Sequence, residues 1–184
     1  MRDSMLASAA DIVSFWQKAG PDRWFKKDPA FDQEIRERFL ATHEAAAAGQ
    51  LSGWEQSAEG ALALLILLDQ FPRNMFRGDA RAFATDPLAR AITAGAIVRG
   101  FDSQVPKELQ KFFYLPFEHS ENLADQERCI ALNKASGDAE NLKWAEIHAD
   151  IIRRFGRFPH RNAVLGRATT PDEQAFLDSG GFAG

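Results

Sequence analysis

The sequence predicts an all-α protein in which antiparallel helix pairs pack in layers. Signals that begin helices recur along the chain: Asp28-Pro29, Asp86-Pro87 and Thr170-Pro171 each place a capping side chain before a proline. In contrast, no stretch alternates apolar and polar residues between hairpin turns, and valine is scarce. We therefore expect helices joined by short connections rich in glycine or proline, and no sheet.

Two helices are predicted in the first half of the chain. The first has one apolar face, made by residues spaced at i, i+4 and i+8: Phe31, Ile35 and Phe39. Gly49 is the expected end of this helix. Ser57 is placed to cap the next helix, whose residues 61–68 are apolar on every side. That pattern is typical of a buried, central helix.

Three more helices are predicted in the second half. The stretch "NLADQERCIALNKASG", residues 122–137, reads as helical up to Gly137. The next helix has an apolar stripe formed by Trp144, Ile147, His148, Ile151 and Phe155. Within this stripe we expect His148 to be a neutral, hydrogen-bonded core residue. Thr170 and Glu173 have the spacing of a capping box at the start of the last helix.

Composition indicates one globular domain over residues 1–184, with enough apolar residues to form a core. The net charge is −4, which argues against a nucleic-acid partner. The longest apolar run is too short to span a bilayer, and no signal peptide is apparent, so we expect a cytoplasmic protein without a membrane partner.

The single cysteine, Cys129, excludes an intramolecular disulfide and a cysteine-based zinc site. Neither Glu-x-x-His nor His-Glu-x-x-His occurs, so no metal site is expected. No glycine-rich nucleotide-binding fingerprint is present, and the sequence identifies no cofactor. The oligomeric state is likewise not indicated by the sequence.

Two Phe-Pro sequences, "LLDQFPRNMFRG" and "RRFGRFPHRN", each follow an apolar helical run. A proline disfavours helical backbone in the preceding residue, so Phe71 and Phe158 are expected to be non-helical. The helices before them should end by about Gln70 and about Gly156. We name these segments the first corner (residues 69–77) and the second corner (residues 156–162), and expect the two Phe rings to pack into the core.

The polar residues of the corners support two interpretations. Asp69 lies at the end of a buried helix and needs a partner, which a structural network of ion pairs with arginine would supply. Alternatively, the excess of arginine forms a cationic pocket for a small phosphate- or carboxylate-bearing metabolite. A helix starting near Pro159 would add backbone donors to that pocket. The candidate ligand-binding residues are Asp69, Arg73, Asn74, Arg77, Ser120, Glu121, Arg157, Arg161 and Asn162.

Two histidines are candidates for acid–base chemistry, His119 and His160. His119 stands beside Ser120 and Glu121, but adjacent helical residues point apart, so these three do not form a triad. A helix cap or a polar cluster at the solvent edge is the alternative for His119.

Several long motifs occur together in this chain, in the order "WFKKDPAFDQEIRERF", "LLDQFPRNMFRGDARAFATD", "YLPFEHSE" and "FGRFPHRNAVLGRATTPDEQAFL". In these motifs the chain resembles the domain-of-unknown-function 924 family of bacterial proteins, nearly end to end. The resemblance implies an all-α fold similar to the tetratricopeptide-like superhelical class, without a regular repeat. It brings no established activity. The family signature also includes Gln70, Phe71 and Arg167.

Two functions are therefore expected from the sequence. The first is binding of a small anionic metabolite by the arginine and histidine side chains of the corners, with acid–base chemistry from His119 or His160. The second is a helical interaction module that holds an acidic peptide, with the arginines serving as a structural network. The sequence does not establish whether the protein is an enzyme.

Overall fold

The structure, a computed structural model, describes residues 6–183, and this part of the chain contains no strand. The prediction of an all-α fold is confirmed. The α-helices are α1 (Ala9–Ala19), α2 (Pro21–Trp24), α3 (Pro29–Ala47), α4 (Ala58–Leu65), α5 (Phe71–Met75), α6 (Asp86–Val98), α7 (Leu115–Glu118), α8 (Leu123–Ser136), α9 (Ala139–Phe155) and α10 (Pro171–Asp178). A π-helical turn covers Ile66–Gln70, and 3₁₀ segments cover Ser52–Gln56, Ala80–Phe83, Phe101–Gln104, Lys107–Phe113 and Pro159–Arg161.

The described residues form two compact units. Unit 1 contains the chain up to Arg77 together with Arg81–Pro116, and unit 2 contains Gly78–Ala80 and the chain from Phe117 onward. The single domain over residues 1–184 stays a prediction. The all-helical chain is compatible with a tetratricopeptide-like arrangement, which also stays a prediction. In the described residues no helix is both long enough and apolar enough to cross a membrane.

Unit 1 is built around α4 and the π-helical turn, against which α1, α3 and α6 pack. Residues 61–68 are all buried, as their uniformly apolar composition predicts. Aromatic rings fill the surrounding space: Phe15, Trp16, Trp24, Phe31, Phe39, Phe71 and Phe112 contact one another in stacked and edge-on pairs. These contacts fix the position of the first corner, because Phe71 is fully buried among them.

Most of the predicted helix caps are present. The side chains of Asp28 and Ser57 accept hydrogen bonds from the first turns of α3 and α4, and Thr170 forms the expected capping box with Glu173. The cap at Asp86 was predicted wrongly: Thr85 is the N-cap residue of α6, and neither side chain caps the helix. The Asp86 side chain instead pairs with Arg73 of the first corner, and the Thr85 side chain bonds to Leu68 in the π-helical turn before it.

Unit 2 is built on α8 and α9, which are joined by two residues, pack against each other and therefore run antiparallel. Gly137 adopts the left-handed conformation that ends α8 (φ 74°), in agreement with the prediction. Ala145 and Ala149 lie in the buried face of α9 together with His148. Trp144 was predicted in the buried stripe, but its side chain is 43% exposed because it lies at the edge of that face.

Candidate functional site

The backbone of the first corner is helical, so the prediction that Phe71 leaves the helix was wrong. Phe71 has φ −59° and ψ −37°, and α5 continues from it without a break. The π-helical turn before it inserts one extra residue, so the N–H of Phe71 donates to the carbonyl of Ile66. This extra residue changes the register of the hydrogen bonds just before Pro72, which has no N–H to donate.

Three successive carbonyl groups in this turn accept side-chain hydrogen bonds. His43 Nδ1 lies 2.8 Å from the oxygen of Leu67, and Thr85 Oγ1 donates to the oxygen of Leu68 at 2.5 Å. Arg73 Nη1 donates to the oxygen of Asp69 at 2.6 Å. Side chains from α3, from the start of α6 and from α5 therefore satisfy buried acceptors that a proline-containing turn leaves without their usual donors.

Asp69 is 1% exposed and is held by its neighbours, as the ion-pair interpretation predicts. Gln70 Nε2 donates to Asp69 Oδ2 at 2.7 Å, and Arg73 Nη1 lies 3.4 Å from Oδ1. Arg73 also makes a two-pronged pair with Asp86, at 2.8 and 2.9 Å. Burial by itself would lower the pKa of Arg73, but the charges of Asp69 and Asp86 raise it above its ordinary value.

The other polar residues of the first corner hold an acid of α3. Arg77 makes two hydrogen bonds with Asp32, at 2.9 and 3.1 Å, and Asn74 Nδ2 donates to the same carboxylate at 2.8 Å. All four candidate ligand residues of this corner, Asp69, Arg73, Asn74 and Arg77, thus take part in bonds with side chains of unit 1. The geometry is that of a structural network.

The backbone of the second corner follows the prediction more closely. Helix α9 ends at Phe155, Gly156 is left-handed (φ 69°), and Phe158 is extended (φ −89°, ψ 108°) and fully buried. The helix expected near Pro159 is a 3₁₀ turn of three residues. Such a turn is too short to present an anion-binding helix end, so any charge at this corner comes from side chains.

Arg157 and Asn162 hold the carboxylate of Glu173. Arg157 donates from Nε and Nη2 at 2.6 and 2.9 Å, and Asn162 Nδ2 donates at 3.1 Å. The backbone N–H of Thr170 donates to the same carboxylate at 2.8 Å. The hydrogen bond from Arg157 is the largest contribution that lowers the pKa of Glu173, to about 2. These contacts tie the second corner to the first turn of α10.

Glu121 is held in the same way by Arg167, whose Nη1 and Nη2 lie 2.8 and 2.9 Å from its carboxylate oxygens. The backbone N–H of Phe158 donates to Glu121 at 2.8 Å. Burial alone would raise the pKa of Glu121, but the bonds from Arg167 and Phe158 lower it below its ordinary value. The carboxylate bound at this point of the second corner therefore belongs to the protein. Ser120, in turn, donates to Asp125 at 2.7 Å in the first turn of α8.

A second set of polar side chains gathers near Phe158, and we call it the histidine cluster: His119, His148, His160 and Arg161. The ring of Phe158 lies 5.6 Å from His148, 5.8 Å from His160 and 4.6 Å from the guanidinium of Arg161.

Arg161 is 7% exposed and donates from Nη2 to the carbonyl of His119 at 3.0 Å. The rings of His119 and His148 are 6.4 Å apart. His119 and His160 are partly exposed, whereas His148 is buried. The structure thus brings together His119, His160 and Arg161, three of the predicted site residues. The cluster places one permanent cation, Arg161, over the ring of Phe158 and next to two partly exposed imidazoles.

The Nδ1 atom of His148 lies near two oxygen atoms and forms a hydrogen bond with one of them, the carbonyl oxygen of Trp144. The distances from Nδ1 are 2.8 Å to the oxygen of Trp144 and 3.4 Å to Glu118 Oε1. Burial lowers the pKa of His148 to about 3, against the hydrogen bond with Trp144, which favours a charged ring, and His119, His160 and Arg161 lower this pKa further. His148 is therefore neutral near pH 7, as predicted, and its Nε2 carries the lone pair.

Glu118 and Cys129 were missed by the sequence analysis. Glu118 is 5% exposed, and its Oε2 lies 3.9 Å from the Sγ of fully buried Cys129. Burial raises the pKa of the Cys129 thiol, and Glu118 adds to this effect. The carboxylate therefore separates a protonated thiol from the imidazole of His148. This order does not fit a cysteine nucleophile, which needs a thiolate next to a base.

The buried face of α8 is polar, with Gln126, Cys129 and Asn133 as its buried residues. Gln126 Nε2 donates to the carbonyls of Glu118 and Ser120 at 2.6 and 2.7 Å. Among residues 6–183, no donor reaches Gln126 Oε1 or Asn133 Oδ1. The sequence carries a signal for this face, because the three residues are spaced at i, i+3 and i+7. A polar core next to the histidine cluster is a departure from ordinary packing that often accompanies function.

A separate groove of about 520 Å³ lies on α9 and α10, open to solvent and lined by Arg154, Phe155, Asp172, Ala175, Phe176 and Ser179. It contains none of the predicted site residues. In the part of the chain that the structure describes, no group of three or more His, Cys, Asp or Glu side chains is arranged to hold a metal ion.

A solved structure and a protein-family model are similar to this chain. A search of curated proteins gave no significant match. The structure of a protein of unknown function from Agrobacterium tumefaciens is similar, with 55% sequence identity and a TM-score of 0.90. The similarity covers 93% of this chain and 97% of that one. The model of the family described as "Bacterial protein of unknown function (DUF924)" matches residues 12–181. The chain therefore belongs to this family.

Proposed function

We propose that the protein binds a small anion, carried by a phosphate or carboxylate group, at the histidine cluster. The proposal rests on one observation. The partly exposed imidazoles of His119 and His160 lie close to the nearly buried guanidinium of Arg161. Arg161 supplies a permanent charge that lies over the ring of Phe158, 4.6 Å from its centre. A guanidinium in partly desolvated surroundings attracts an anion more strongly than an exposed one does.

The other motif arginines do not take part in this proposal. Arg73, Arg77, Arg157 and Arg167 each hold a carboxylate of the protein in a two-pronged pair. An external anion would have to displace these carboxylates. We therefore place the proposed binding site at the histidine cluster, where the side chains of His119 and His160 are partly exposed.

The cluster also supports acid–base chemistry on the bound anion. An imidazole exchanges a proton near neutral pH, so His119 and His160 are suited to serve as proton donor and acceptor. The neutral ring of His148 offers Nε2 as a hydrogen-bond acceptor. A ligand that combines an anionic group with a hydroxyl or N–H donor matches this set. We further propose a cytoplasmic setting, since the one cysteine is a buried thiol.

The experiment is thermal unfolding at low salt with inorganic phosphate, sugar phosphates, di- and tricarboxylates and nucleotides. A ligand present at about 100 times its Kd should stabilise the protein by about 2.7 kcal/mol. His160→Asn and His119→Asn should reduce this stabilisation, measured for each variant against its own unliganded Tm. Arg161→Lys should weaken binding further. Arg153→Ala, at an exposed arginine of unit 2, is the matched control and should bind normally.

Two results contradict the proposal. One is the absence of a Tm shift with every compound. The other is a shift that the His119→Asn/His160→Asn double variant retains in full. Either result would favour the alternative of a helical interaction module for an acidic peptide, which would then be sought by titration with acidic peptides.

A further inference from the structure

The turn that follows α10 places an aromatic ring on the histidine cluster. After Asp178 the chain reverses direction through Gly180, which is left-handed (φ 79°). The N–H of Gly180 donates to Leu177 at 3.2 Å, and the N–H of Gly181 donates to Phe176 at 3.0 Å. Two backbone hydrogen bonds therefore set the path of the chain into Phe182.

Gly181 is needed at its position. A Cβ added there would lie 2.6 Å from two ring carbons and the carbonyl oxygen of Phe176. The backbone therefore rests directly on Phe176, which in turn packs against Phe155 of α9 at 5.2 Å. This close approach fixes the direction in which Phe182 leaves the turn.

The ring of Phe182 contacts two members of the cluster. Its centre lies 4.5 Å from the ring of His148 and 5.3 Å from the ring of His160, both in edge-on geometry. It also lies 6.4 Å from the ring of Trp144. His148 thus touches two aromatic rings, the fully buried Phe158 and the partly exposed Phe182.

We infer that Phe182 is a removable cover over His148, and that the short segment carrying it controls access to the Nε2 atom of that histidine. The ring of Phe182 packs on the core formed by Ile151, Ile152 and Phe158, but the two residues before it are glycines without side chains and the following Ala183 is exposed. Displacement of the cover therefore breaks the contacts of one partly exposed ring, a local opening that costs less free energy than global unfolding. By contrast, Phe158 belongs to the core and cannot move without disrupting it.

The cover also has a consequence for ligand binding. This consequence rests on the proposed function. With the cover closed, only His119 and His160 reach solvent among the histidines of the cluster. With Phe182 displaced, His148 Nε2 becomes an additional acceptor inside the site. Ligands that bring an apolar part to occupy the place of Phe182, next to their anionic group, should therefore bind better than inorganic phosphate.

The cover can be tested without any ligand. Diethyl pyrocarbonate transfers an ethoxycarbonyl group to a neutral imidazole nitrogen, and peptide mass spectrometry reports the rate at each histidine. In the wild type, His119 and His160 should react readily and His148 slowly. Phe182→Ala should accelerate the reaction at His148 by about tenfold or more, because the ring no longer covers it. Phe182→Trp should restore the protection.

His43 provides an internal control, since it is buried in unit 1 and should stay slow in every variant. Phe25→Ala removes an exposed ring of unit 1 and is the matched substitution, which should leave His148 protected. Unchanged protection of His148 in Phe182→Ala overturns the inference. So does an equal rise at His43, because it would mean that the whole fold had loosened. Failure to find a ligand would count against the proposed function and leave this result unaffected.

Discussion

Arg157 and Glu173, sixteen residues apart, form a two-pronged ion pair with distances of 2.6 and 2.9 Å. The arginine was selected from the sequence as a ligand for an external anion. In the folded chain it holds an acid of the protein itself. Two other candidate ligands are paired in the same way, Arg73 with Asp86 and Arg77 with Asp32. Arg167, a residue of the family signature, holds Glu121. Each of these four arginines is therefore paired with a carboxylate of the protein.

Loss of Arg73 should cost far more stability than loss of Arg77. Arg73→Ala removes a cation beside Asp69, which is 1% exposed, so we expect a loss of roughly 3–5 kcal/mol in the free energy of unfolding. The Arg77 side chain is 40% exposed, and Arg77→Ala should cost about 0–1 kcal/mol. Urea unfolding of both variants measures the difference. Similar losses of unfolding free energy in the two variants would contradict the conclusion that Arg73 stabilises a buried carboxylate.

Replacement of threonine by valine should have opposite effects at two positions. Thr85→Val removes the donor to the Leu68 carbonyl and should destabilise the protein by about 1–3 kcal/mol. Thr93 is fully buried, and within residues 6–183 its hydroxyl has no hydrogen-bond partner. Thr93→Val should therefore be neutral or stabilising. Thermal unfolding of the two variants gives the sign of each change in stability. A loss of stability in Thr93→Val would indicate a hydrogen-bond partner for that hydroxyl.

Low pH should destabilise the fold, in part because Glu173 becomes protonated. Its pKa falls from an ordinary value of 4.5 to about 2 in the folded chain, so its contribution is fully present above about pH 4.5 and is lost as the pH falls towards 2. Glu173→Gln should be less stable near neutral pH and should lose less stability between about pH 5 and pH 3. Urea unfolding at several pH values in this range measures the slope of the unfolding free energy against pH. Asp172→Asn, at an exposed acid of the same helix, is the matched control, and an equal change of slope in that variant would contradict the assignment to Glu173.

The two buried histidines should be neutral and protonated on Nδ1 near pH 7. Burial lowers the pKa of His43, and burial lowers that of His148 to about 3. The Nδ1 atoms of both rings lie 2.8 Å from backbone carbonyl oxygens, of Leu67 and Trp144, which accept only from a protonated nitrogen. Long-range ¹H–¹⁵N NMR correlations distinguish the tautomers. A charged His148 ring at neutral pH would mean that Glu118 outweighs burial.

Cys129 should not react with thiol reagents in the folded protein. The side chain is fully buried, and burial raises the pKa of its thiol. Reaction with Ellman's reagent should be slowed on the order of a hundredfold or more relative to the urea-unfolded chain. An exposed cysteine on the same helix, Ala124→Cys in a Cys129→Ala background, should react at once. Rapid labelling of native Cys129 would show that unit 2 opens readily.

The sequence by itself determined the position of five α-helices, which are α3, α4, α8, α9 and α10, and several of their ends. The caps at Asp28, Ser57 and Thr170 are confirmed because each depends on hydrogen bonds within three residues of the cap. The burial of residues 61–68 is confirmed because an entirely apolar helix has no solvent face. The family resemblance noted from the motifs also holds over residues 12–181.

Only the tertiary structure decided the geometry of the two corners. Phe71 stays helical because His43 and Thr85, distant in sequence, satisfy the carbonyls of the π-helical turn. Each arginine meets its acid only in the folded chain. Arg167 and Glu121, for example, are 46 residues apart in the sequence. The gathering of Glu118, Cys129 and His148 arises in the same way. Local patterns predict caps and faces, whereas charge pairing depends on which elements pack together, and no spacing in the sequence encodes that.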